Sequence, residues 1–477
     1  MELLIGRIAE KKILLEALTS SSSELLAVFG RRRVGKTFLI RSVFQKQLIF
    51  ELSGVHDANA AEQLLNFSKA IAEALGSPLT PAVPKNWTEA FWQLREFATP
   101  IIKKRKAVIF FDEFPWLSSH KSGFLSAFEY FWNQWASQQP NLIVAICGSA
   151  ATWMIKKVVN NKGGLHNRLT RKIRLLPFTL HETEQYLKSN NIQLDRYQML
   201  TIFMAMGGVP HYLKEIKKGE SATQAIDRLC FTKDGLLSTE FANLYRSLFE
   251  NADRHISVVK ALAEKPSGLT RNEIIAVCNL QSGGTTSLLL EELVESGFIT
   301  PHLPFQKNAN QSIYKLSDEY SLFYLKFIEH SRATGAGTWL KKSSTSSWRS
   351  WSGYAFEGIC MKHTVNIKQA LGISGVFTEK SAWRYAPKDG NGAQVDLLLD
   401  RQDNVISICE MKFSNTEFAI DKAYAAALKY KLEIFSGQSK TKKALFLAMV
   451  TTYGIKNKMY SIGLVQNAVT MDDLFLP

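Results

Sequence analysis

Short runs of mainly apolar residues distinguish the first part of this chain. They occupy residues 25–29, 107–111 and 141–147, and a glycine or an acidic residue follows each run. Apolar runs of this length are typical of strands that are buried on both faces of a parallel sheet. A stretch with helical character, residues 38–44, comes soon after the first run. The pattern therefore predicts an α/β domain that is built on a parallel sheet.

The first run leads into a loop bounded by glycines. Two glycines are separated by four residues, and Lys and Thr follow the second one: Gly30, Arg31, Arg32, Arg33, Val34, Gly35, Lys36 and Thr37, with Phe38 opening the helix. Between a strand and a helix, this spacing turns backbone N–H groups towards phosphates. We expect Lys36 to reach the β- and γ-phosphates and the Thr37 hydroxyl to bind Mg²⁺. The loop predicts a nucleoside-triphosphate site, against the alternative of a plain glycine turn.

Two carboxylates, Asp112 and Glu113, end the second run. The carboxyl ends of parallel strands open on the ligand crevice, so both side chains are expected near the phosphates. Asp112 is then suited to hold Mg²⁺ through water, and Glu113 to orient and deprotonate the attacking water. The alternative is a solvated strand edge. The preceding phosphate loop favours nucleotide hydrolysis.

Further polar residues come in the order expected of such a site. Ser149 ends the third run and is placed to sense the γ-phosphate or to hold the water; the alternative is a helix cap. Arg168 and Arg171 are candidates for an arginine that stabilises charge across a subunit interface, although surface arginines are common. The turn at residues 207–210 interrupts a helical region and predicts a small helical lid.

Taken together, these motifs resemble the prokaryotic "archaeal ATPase" family, in the AAA+/STAND group of P-loop NTPases related to origin-recognition initiators. The resemblance covers roughly residues 1–232 and includes the opening Leu4-Ile5-Gly6-Arg7 and Gly208-Val209-Pro210. It implies that Ile5, Gly6, Arg7 and Pro210 border an adenine, which favours ATP over GTP. The three loop arginines depart from a glycine-rich version; they suit phosphates, a partner protein or nucleic acid.

Length and charge agree with a multidomain chain that handles phosphates. The 477 residues are enough for two or three domains. The net charge of +15 is uneven: residues 1–230 carry +11, residues 231–339 carry −2, and residues 340–477 carry +6. Clustered positive charge favours phosphates or nucleic acid as partners. Of the two nucleic acids, DNA is expected more than RNA.

The cysteines and the hydropathy predict a cytoplasmic protein. The five cysteines have no paired, metal-like spacing and are expected to be buried reduced thiols. No run of 18 uncharged apolar residues predicts a membrane span, and the first residues do not resemble a signal peptide.

The middle segment has the pattern of a winged helix. Apolar helical stripes at 256–263, 269–275 and 282–296 precede a plausible two-stranded wing at 301–314, and Thr270 with Glu273 forms a predicted capping box. The third stripe contains Glu291, Glu292 and Glu295 and no lysine or arginine. Since cations dominate DNA affinity, a structural or protein-contact role is favoured over DNA docking.

A second chemical constellation follows a Gly- and Ser-rich segment that predicts a linker. Residues 395–400 and 405–412 read as two strands joined by a turn, which brings Asp396 within reach of Glu410. Glu410 and Lys412 are two residues apart and share one face of their strand. Two carboxylates and a lysine are suited to hold Mg²⁺ or Mn²⁺ and to position a water.

This arrangement resembles the core of PD-(D/E)XK nucleases, which cut phosphodiesters with a divalent metal. The resemblance covers about residues 345–455 and implies that Glu357 is the expected upstream acid, although Val395 replaces the usual proline. A similar domain follows the ATPase in many members of the family named above. A strand hairpin with a solvated charged face is the alternative, because such signatures are loose.

The predicted architecture is α/β throughout, with an intervening winged helix. We expect a P-loop ATPase core at 1–175, a helical lid at 176–232, a winged helix at 233–330, a linker at 331–348 and a restriction-endonuclease-like domain at 349–477. The first functional hypothesis is an ATP-driven switch coupled to metal-dependent cleavage of nucleic acid. The second is a regulatory ATPase whose C-terminal domain only binds DNA or a protein partner. An arginine acting between subunits would also require a homo-oligomer.

Overall fold

The computed structural model describes residues 3–477 except 120, 150, 160–164, 166, 250, 332–334, 388–391 and 457–458. The chain divides into two compact units. The first comprises Met1–Pro177 with Leu248–Glu250 and Glu295–Gly297, and the second comprises Phe178–Ser247, Asn251–Val294 and Phe298–Pro477.

The first unit is an α/β structure. Its strands are β1 (Glu24–Phe29), β2 (Leu48–Ser53), β3 (Ala107–Asp112), β4 (Leu142–Gly148) and β5 (Arg171–Arg174). Its helices are α1 (Ile8–Thr19), α2 (Lys36–Phe44), α3 (Ala60–Leu75), α4 (Trp87–Ile102), α5 (Phe114–Leu117), α6 (Phe124–Gln134) and α7 (Ala151–Met154), with a 3₁₀ turn at Ala136–Gln138 and a π-helical turn at Ile155–Val159.

The sheet of this unit is parallel, in the order β2-β3-β4-β1-β5. Every residue of β1, β3 and β4 is buried, which confirms the prediction from the apolar runs. The order has one feature that the runs did not reveal. Strand β4 lies between β1 and β3, so its C-terminal end separates the ends of the other two.

Two apolar layers enclose the sheet. Phe110 and Phe111 are adjacent on β3 and therefore point to opposite faces. Phe110 packs in the layer that includes Phe44 of α2, and Phe111 packs in the layer that includes Phe91 and Phe124 of α4 and α6. The ring centres of Phe111 and Phe91 lie 6.0 Å apart, edge to face. Packing on both faces fixes the strand ends, where the polar residues lie.

The second unit contains two further sheets. Its helices are α8 (Leu180–Ser189), α9 (Arg196–Met206), α10 (Pro210–Leu213), α11 (Ala222–Phe231), α12 (Glu240–Arg246), α13 (Ala252–Glu264), α14 (Arg271–Val277), α15 (Gly284–Glu295, ending in the first unit), α16 (Glu319–Phe323), α17 (Thr338–Ser343), α18 (Ser346–Lys362), α19 (Thr364–Ala370), α20 (Lys422–Ser439) and α21 (Met471–Leu474). Its strands are β6 (Leu269–Thr270), β7 (Ile299–His302), β8 (Ile313–Leu316), β9 (Thr378–Tyr385), β10 (Ala393–Arg401), β11 (Val405–Lys412), β12 (Ala444–Thr451) and β13 (Asn467–Thr470). Short 3₁₀ and π-helical turns lie at Ala309–Gln311 and Tyr324–Ile328.

The middle of the chain has the elements that the winged-helix prediction requires. Helices α13, α14 and α15 precede an antiparallel sheet in the order β6-β8-β7. The predicted capping box is present, because Thr270 and Glu273 each accept a backbone hydrogen bond from the other.

The segment predicted as a linker is packed from residue 337 onwards. Its helix α17 carries Trp339, which is fully buried, with its ring stacked 5.7 Å from that of Phe231. The Asp227 carboxylate accepts the backbone N–H groups of Gly337 and Trp339, both at 2.7 Å. The burial of one large apolar side chain thus holds in place a segment whose Gly and Ser content had suggested a flexible linker. Predicted linker residues 332–334 lie outside the described residues.

The C-terminal sheet has the order β13-β12-β11-β10-β9. Strands β9, β10 and β11 are antiparallel neighbours, whereas β11, β12 and β13 are parallel. Helix α20 covers one face through Ala425, Leu428 and Phe435. The predicted hairpin of residues 395–412 is confirmed as β10 and β11. Among the described residues, no helix is long and apolar enough to span a membrane.

Within the second unit, His363 links α8 to the turn between α18 and α19. Its Nδ1 donates to the Ile359 carbonyl at 2.8 Å, and its Nε2 accepts from the Leu180 N–H at 3.1 Å. Burial lowers the pKa of His363 to about 4. The imidazole is therefore neutral, and it can accept from the first residue of α8 only in that form.

We expect His363 to make the protein sensitive to acid. A histidine with a pKa near 6.5 when unfolded and about 4 when folded stabilises the fold above pH 6.5, and this stability is lost as the pH falls towards 4. The free energy of unfolding falls by at most about 3 kcal/mol through this histidine. The test is the melting temperature between pH 4 and pH 7 for wild type and His363→Gln, and the variant should show a shallower dependence. His330→Gln, at an exposed histidine, should retain the wild-type slope; equal slopes for all three proteins would contradict the assignment.

Candidate functional site

The loop between β1 and α2 depends on its two glycines. Gly30 has a φ of 151°, and a Cβ atom there would lie 2.2 Å from the Leu175 carbonyl oxygen. Gly35, just before α2, has a φ of 92°. Residues with a side chain rarely adopt these backbone φ angles, and at Gly30 there is no room for a Cβ atom. The spacing predicted from the sequence therefore has a steric cause.

Lys36 lies at the centre of the loop. Its buried ammonium donates to the carbonyls of Gly30 at 3.0 Å and Arg31 at 2.9 Å, and to the Ser149 hydroxyl at 2.9 Å. Burial lowers the pKa of Lys36, partly offset by nearby Asp112 and Glu113. The loop backbone thus curls around the cation that the sequence assigned to the phosphates.

Thr37 and Asp112 meet across the sheet edge. The Thr37 hydroxyl donates to Asp112 Oδ2 at 2.8 Å, and Asp112 Oδ1 accepts the Glu113 N–H at 2.9 Å. Hydroxyl and carboxylate oxygens are the ligands that Mg²⁺ prefers, so these two side chains fit that ion. When bound, Mg²⁺ would neutralise phosphate charge.

Cys147 belongs to this cluster, which the sequence analysis missed. Its Sγ lies 2.5 Å from Asp112 Oδ1, and burial raises the pKa of Cys147 well above its ordinary value, so the neutral thiol is the donor. The residue lies on β4, next to β3. Its position before Gly148-Ser149 was visible in the sequence, but its contact with Asp112 depends on strand order.

Glu113 is held by Ser149. The Ser149 hydroxyl donates to Glu113 Oε1 at 2.6 Å, and the Ser149 N–H donates to Oε2 at 3.1 Å. Glu113 has a φ of 43°, in the left-handed region that is uncommon for a non-glycine residue. Because β4 lies between β1 and β3, its end places Ser149 between Lys36 and Glu113.

The described geometry joins a phosphate loop, a cation and two carboxylates at one sheet edge. Residues 4–216 match the family of the ATPase domain predominantly from Archaea. This segment is an ATPase-type P-loop domain. The family match agrees with the extent of the resemblance found in the sequence.

Individual proteins are also similar to the chain. The uncharacterized protein MJECL04 of Methanocaldococcus jannaschii is 22% identical over 416 residues, which are 86% of this chain and 88% of that protein. The Walker-type ATPase of Pyrococcus abyssi has 16% identity and a TM-score of 0.48, covering 68% of this chain and 96% of that one. The ORC2 protein of Aeropyrum pernix has 14% identity and a TM-score of 0.39, covering 72% and 98%. The identification of an ATPase domain therefore depends on the family match of residues 4–216 and not on these two structures.

Of the residues predicted to border the adenine, Arg7 contacts the phosphate loop. Arg7 is buried, has a φ of 56°, and donates to the Val34 carbonyl at 3.2 Å. Ile5 and Gly6 precede it, and Phe38 is exposed on α2. Pro210 begins α10 in the second unit. Bordering the adenine stays a prediction for Ile5, Gly6, Arg7 and Pro210.

The three loop arginines lie in different surroundings. Arg31 is buried, whereas the Arg32 guanidinium lies 5.5 Å over the Trp116 ring. Arg33 has a φ of 70°, which lets the loop turn before Val34 and Gly35. The arginines therefore take part in the loop's own packing as well as raising its positive potential.

The two candidate interface arginines differ. Arg171 lies on β5, where Glu16 and Glu24 hold its guanidinium at 3.0 and 3.5 Å. Arg168 is exposed. A cation that already has two carboxylate partners is poorly suited to reach a neighbouring subunit. Arg168 therefore remains the stronger candidate, and its role stays a prediction.

The carboxylates predicted in the C-terminal part lie on adjacent strands. The register of β10 and β11 pairs Leu397 with Cys409, which places Asp396 opposite Glu410. Glu410 Oε1 accepts from the Tyr424 hydroxyl at 2.9 Å and lies 3.0 Å from Lys412 Nζ, and Oε2 accepts from Lys431 at 2.5 Å. These contacts lower the pKa of Glu410 against the opposing effect of burial.

Glu357 belongs to the same cluster. Burial, followed by the negative charge of Asp396, raises the pKa of Glu357 to about 8, and Lys412 and Glu410 also act on it. The fold thus brings together all four residues that the sequence singled out. Among the described residues, no group of three or more His, Cys, Asp or Glu side chains has an arrangement suited to a metal.

Tyr424 and Lys431, which were not predicted as site residues from the sequence, both donate hydrogen bonds to Glu410. Both lie on α20, seven residues apart and so on one face of that helix. Their spacing was visible in the sequence. What could not be seen was that α20 covers the end of β11.

Proposed function

We propose that the ATPase domain hydrolyses ATP with Glu113 as general base. The observation that carries this is the hydrogen-bonded chain from Lys36 through Ser149 to Glu113, with lengths of 2.9 and 2.6 Å. It joins the phosphate-binding cation to a carboxylate at the strand end, which is a group that can take a proton from water. The Arg7–Val34 contact supports an ordered loop.

Each residue of the site has a distinct part in this proposal. Lys36 and the loop N–H groups bind the phosphates, while Thr37 and Asp112 hold Mg²⁺. Glu113 accepts the proton of the attacking water, and Ser149 fixes the carboxylate in position. Arg168, supplied by a neighbouring copy, would stabilise charge that develops on the transferred phosphoryl group.

The direct test is phosphate release by the purified protein from ATP and from GTP with Mg²⁺. Release from ATP that exceeds release from GTP is expected. No release from either nucleotide, by protein that binds ATP, would overturn the proposal.

Ser149→Ala should lower the turnover number for ATP about tenfold, because the base loses one of its two orienting hydrogen bonds while the bond from the backbone N–H remains. The Michaelis constant should change little, since a positioning residue acts on the transition state. The assay is steady-state phosphate release, with Ser189→Ala at an exposed position as the control. An unchanged turnover number would mean that Ser149 does not position the base.

We also propose a second activity, metal-dependent cleavage of nucleic acid in a nuclease-like C-terminal domain. The observation that favours it is that Asp396 and Glu410 lie next to the last paired residues of β10 and β11, Leu397 and Cys409, with Lys412 3.0 Å from Glu410. Asp396 and Glu410 would hold Mg²⁺ or Mn²⁺, and Lys412 would position a water. ATP binding and hydrolysis would then switch this activity.

The competing function is a C-terminal domain that binds nucleic acid or a protein without cutting. It is favoured by the lysines at Glu410, because a metal there must compete with Lys412 and Lys431 for the same carboxylate. Incubation with single- and double-stranded DNA and RNA, with Mg²⁺ or Mn²⁺ and with or without ATP, separates the two. Absence of products under every condition would leave the binding function.

A further inference from the structure

A groove of about 1000 Å³ opens within the second unit. The predicted winged helix forms one wall through α13, β7 and β8, and the C-terminal part forms the other through α18, β9 and β10. Both Glu357 and Asp396 line it. Two of the four residues of the proposed cleavage site therefore open on this groove, whereas Glu410 and Lys412 are not among its lining residues.

Two lysines from opposite walls line the groove. The ammonium groups of Lys315 on β8 and Lys380 on β9 form no hydrogen bond and no ion pair within 4 Å with other residues that the structure describes, although the charge of Lys315 acts on the Glu357 carboxylate. Both lysines line the groove together with His302. Burial, followed by the charges of these two lysines, lowers the pKa of His302 to about 4. Lysines that line one groove without forming an ion pair are suited to bind phosphates.

Two other lysines along the groove form ion pairs. Lys260 pairs with Glu329 at 2.6 Å, and Lys362 pairs with Glu319 at 2.5 Å. Lys315 and Lys380 differ from these two lysines, and Lys326 resembles Lys315 and Lys380 in lacking an ion pair among the described residues. The strands of Lys315 and Lys380, β8 and β9, come from opposite walls.

An aromatic ring completes the groove. Tyr354 is 52% exposed and lies on α18 three residues before Glu357, hence on the same helix face. It forms no ring contact with the residues described around it. Proteins hold the unpaired bases of single strands on exposed aromatic rings in grooves whose cations bind the phosphates.

We propose that this groove binds single-stranded nucleic acid, with a base on Tyr354 and phosphates on Lys315 and Lys380 beside Glu357 and Asp396. This inference rests on the cleavage function proposed above. The groove has the volume of a pocket for a small ligand, so it takes a few nucleotides of one strand and not a duplex. The chemistry is shared by DNA and RNA strands.

Fluorescence anisotropy with labelled single-stranded DNA, single-stranded RNA and duplex DNA in EDTA tests the proposal, using the full chain with Glu410→Gln to prevent cutting. The double change Lys315→Gln and Lys380→Gln should weaken single-strand binding at least about tenfold and lower the log–log salt slope by about one. Changing Lys422 and Lys429 to Gln removes the same charge from exposed positions of α20 and should have little effect.

The ring is tested in the same assay. Tyr354→Ala should weaken binding of single strands by about 5-fold to 100-fold and leave duplex binding unchanged. Tyr130→Ala, at a ring that is 55% exposed on α6, is the matched control. Tighter binding of duplex than of single strands, or single-strand affinity that neither groove variant alters, would overturn the proposal.

The two proposals fail in different ways. Groove-dependent binding without cleavage under any metal would overturn the cleavage function alone. Cleavage by protein with wild-type Glu410 that persists when Lys315, Lys380 and Tyr354 are changed would overturn the groove alone.

Discussion

Replacing Glu113 by glutamine is expected to slow ATP hydrolysis by about 10²- to 10⁴-fold, the usual contribution of a general base. Glutamine keeps one oxygen that can accept a hydrogen bond from Ser149, but its amide cannot take a proton from water. ATP binding should therefore persist, because Lys36 and the loop are unchanged. The measurement pairs single-turnover hydrolysis with binding of a labelled ATP analogue.

Glu96→Gln is the matched control for this change. Glu96 is exposed on α4 and has no role in the site, so its substitution removes the same charge without altering hydrolysis. Hydrolysis by Glu113→Gln at the wild-type rate would assign the base elsewhere. Loss of ATP binding together with hydrolysis would mean that Glu113 supports the loop and not the proton transfer.

Substituting Glu410 by glutamine is expected to reduce Mg²⁺-dependent cleavage by about 10²-fold or more, since the metal loses a charged ligand beside the reacting phosphate. Glutamine keeps the size of the side chain and one oxygen that can accept from either Tyr424 or Lys431, which limits damage to the fold. Lys412→Met should have an effect of similar size, because the water loses its positioning group. Cleavage of labelled strands over time, at several Mg²⁺ and Mn²⁺ concentrations, measures both.

The control for the C-terminal site is Glu433→Gln, an exposed position on α20. It should cleave like wild type, and all variants should melt at similar temperatures. If Glu410→Gln and Lys412→Met cut as fast as wild type, the activity lies in another site. If ATP hydrolysis falls in these variants as well, a general folding defect explains the loss.

The sequence was enough to predict the local parts of both sites. The apolar runs, the glycine spacing around Lys36 and the hairpin between Asp396 and Glu410 depend on neighbours in the chain, and short-range patterns record them. The capping box at Thr270 and Glu273 is of the same kind.

The rest depended on contacts between elements that are distant in sequence. The link from Ser149 to Glu113 and the thiol of Cys147 at Asp112 both follow from the position of β4 between β1 and β3. Lys431 reaches Glu410 only because α20 covers β11. No local pattern in a single sequence encodes strand order or helix placement.

At Trp339 the prediction from composition was wrong, because the segment predicted as a linker contains a buried residue. Small polar residues around it suggested a free connection, yet one indole packs against Phe231 and Phe323. Burial of a single large ring outweighs the flexibility of its neighbours.

The buried indole also bears on how this chain can change by recombination. A gene break between residues 331 and 336 would separate Trp339 from Phe231, and Asp227 from the two N–H groups that it accepts. Each half would carry an exposed aromatic surface or an unpaired carboxylate. Exchange of the C-terminal part as an interchangeable cassette therefore requires a crossover elsewhere, or one that carries helix α11 along with it.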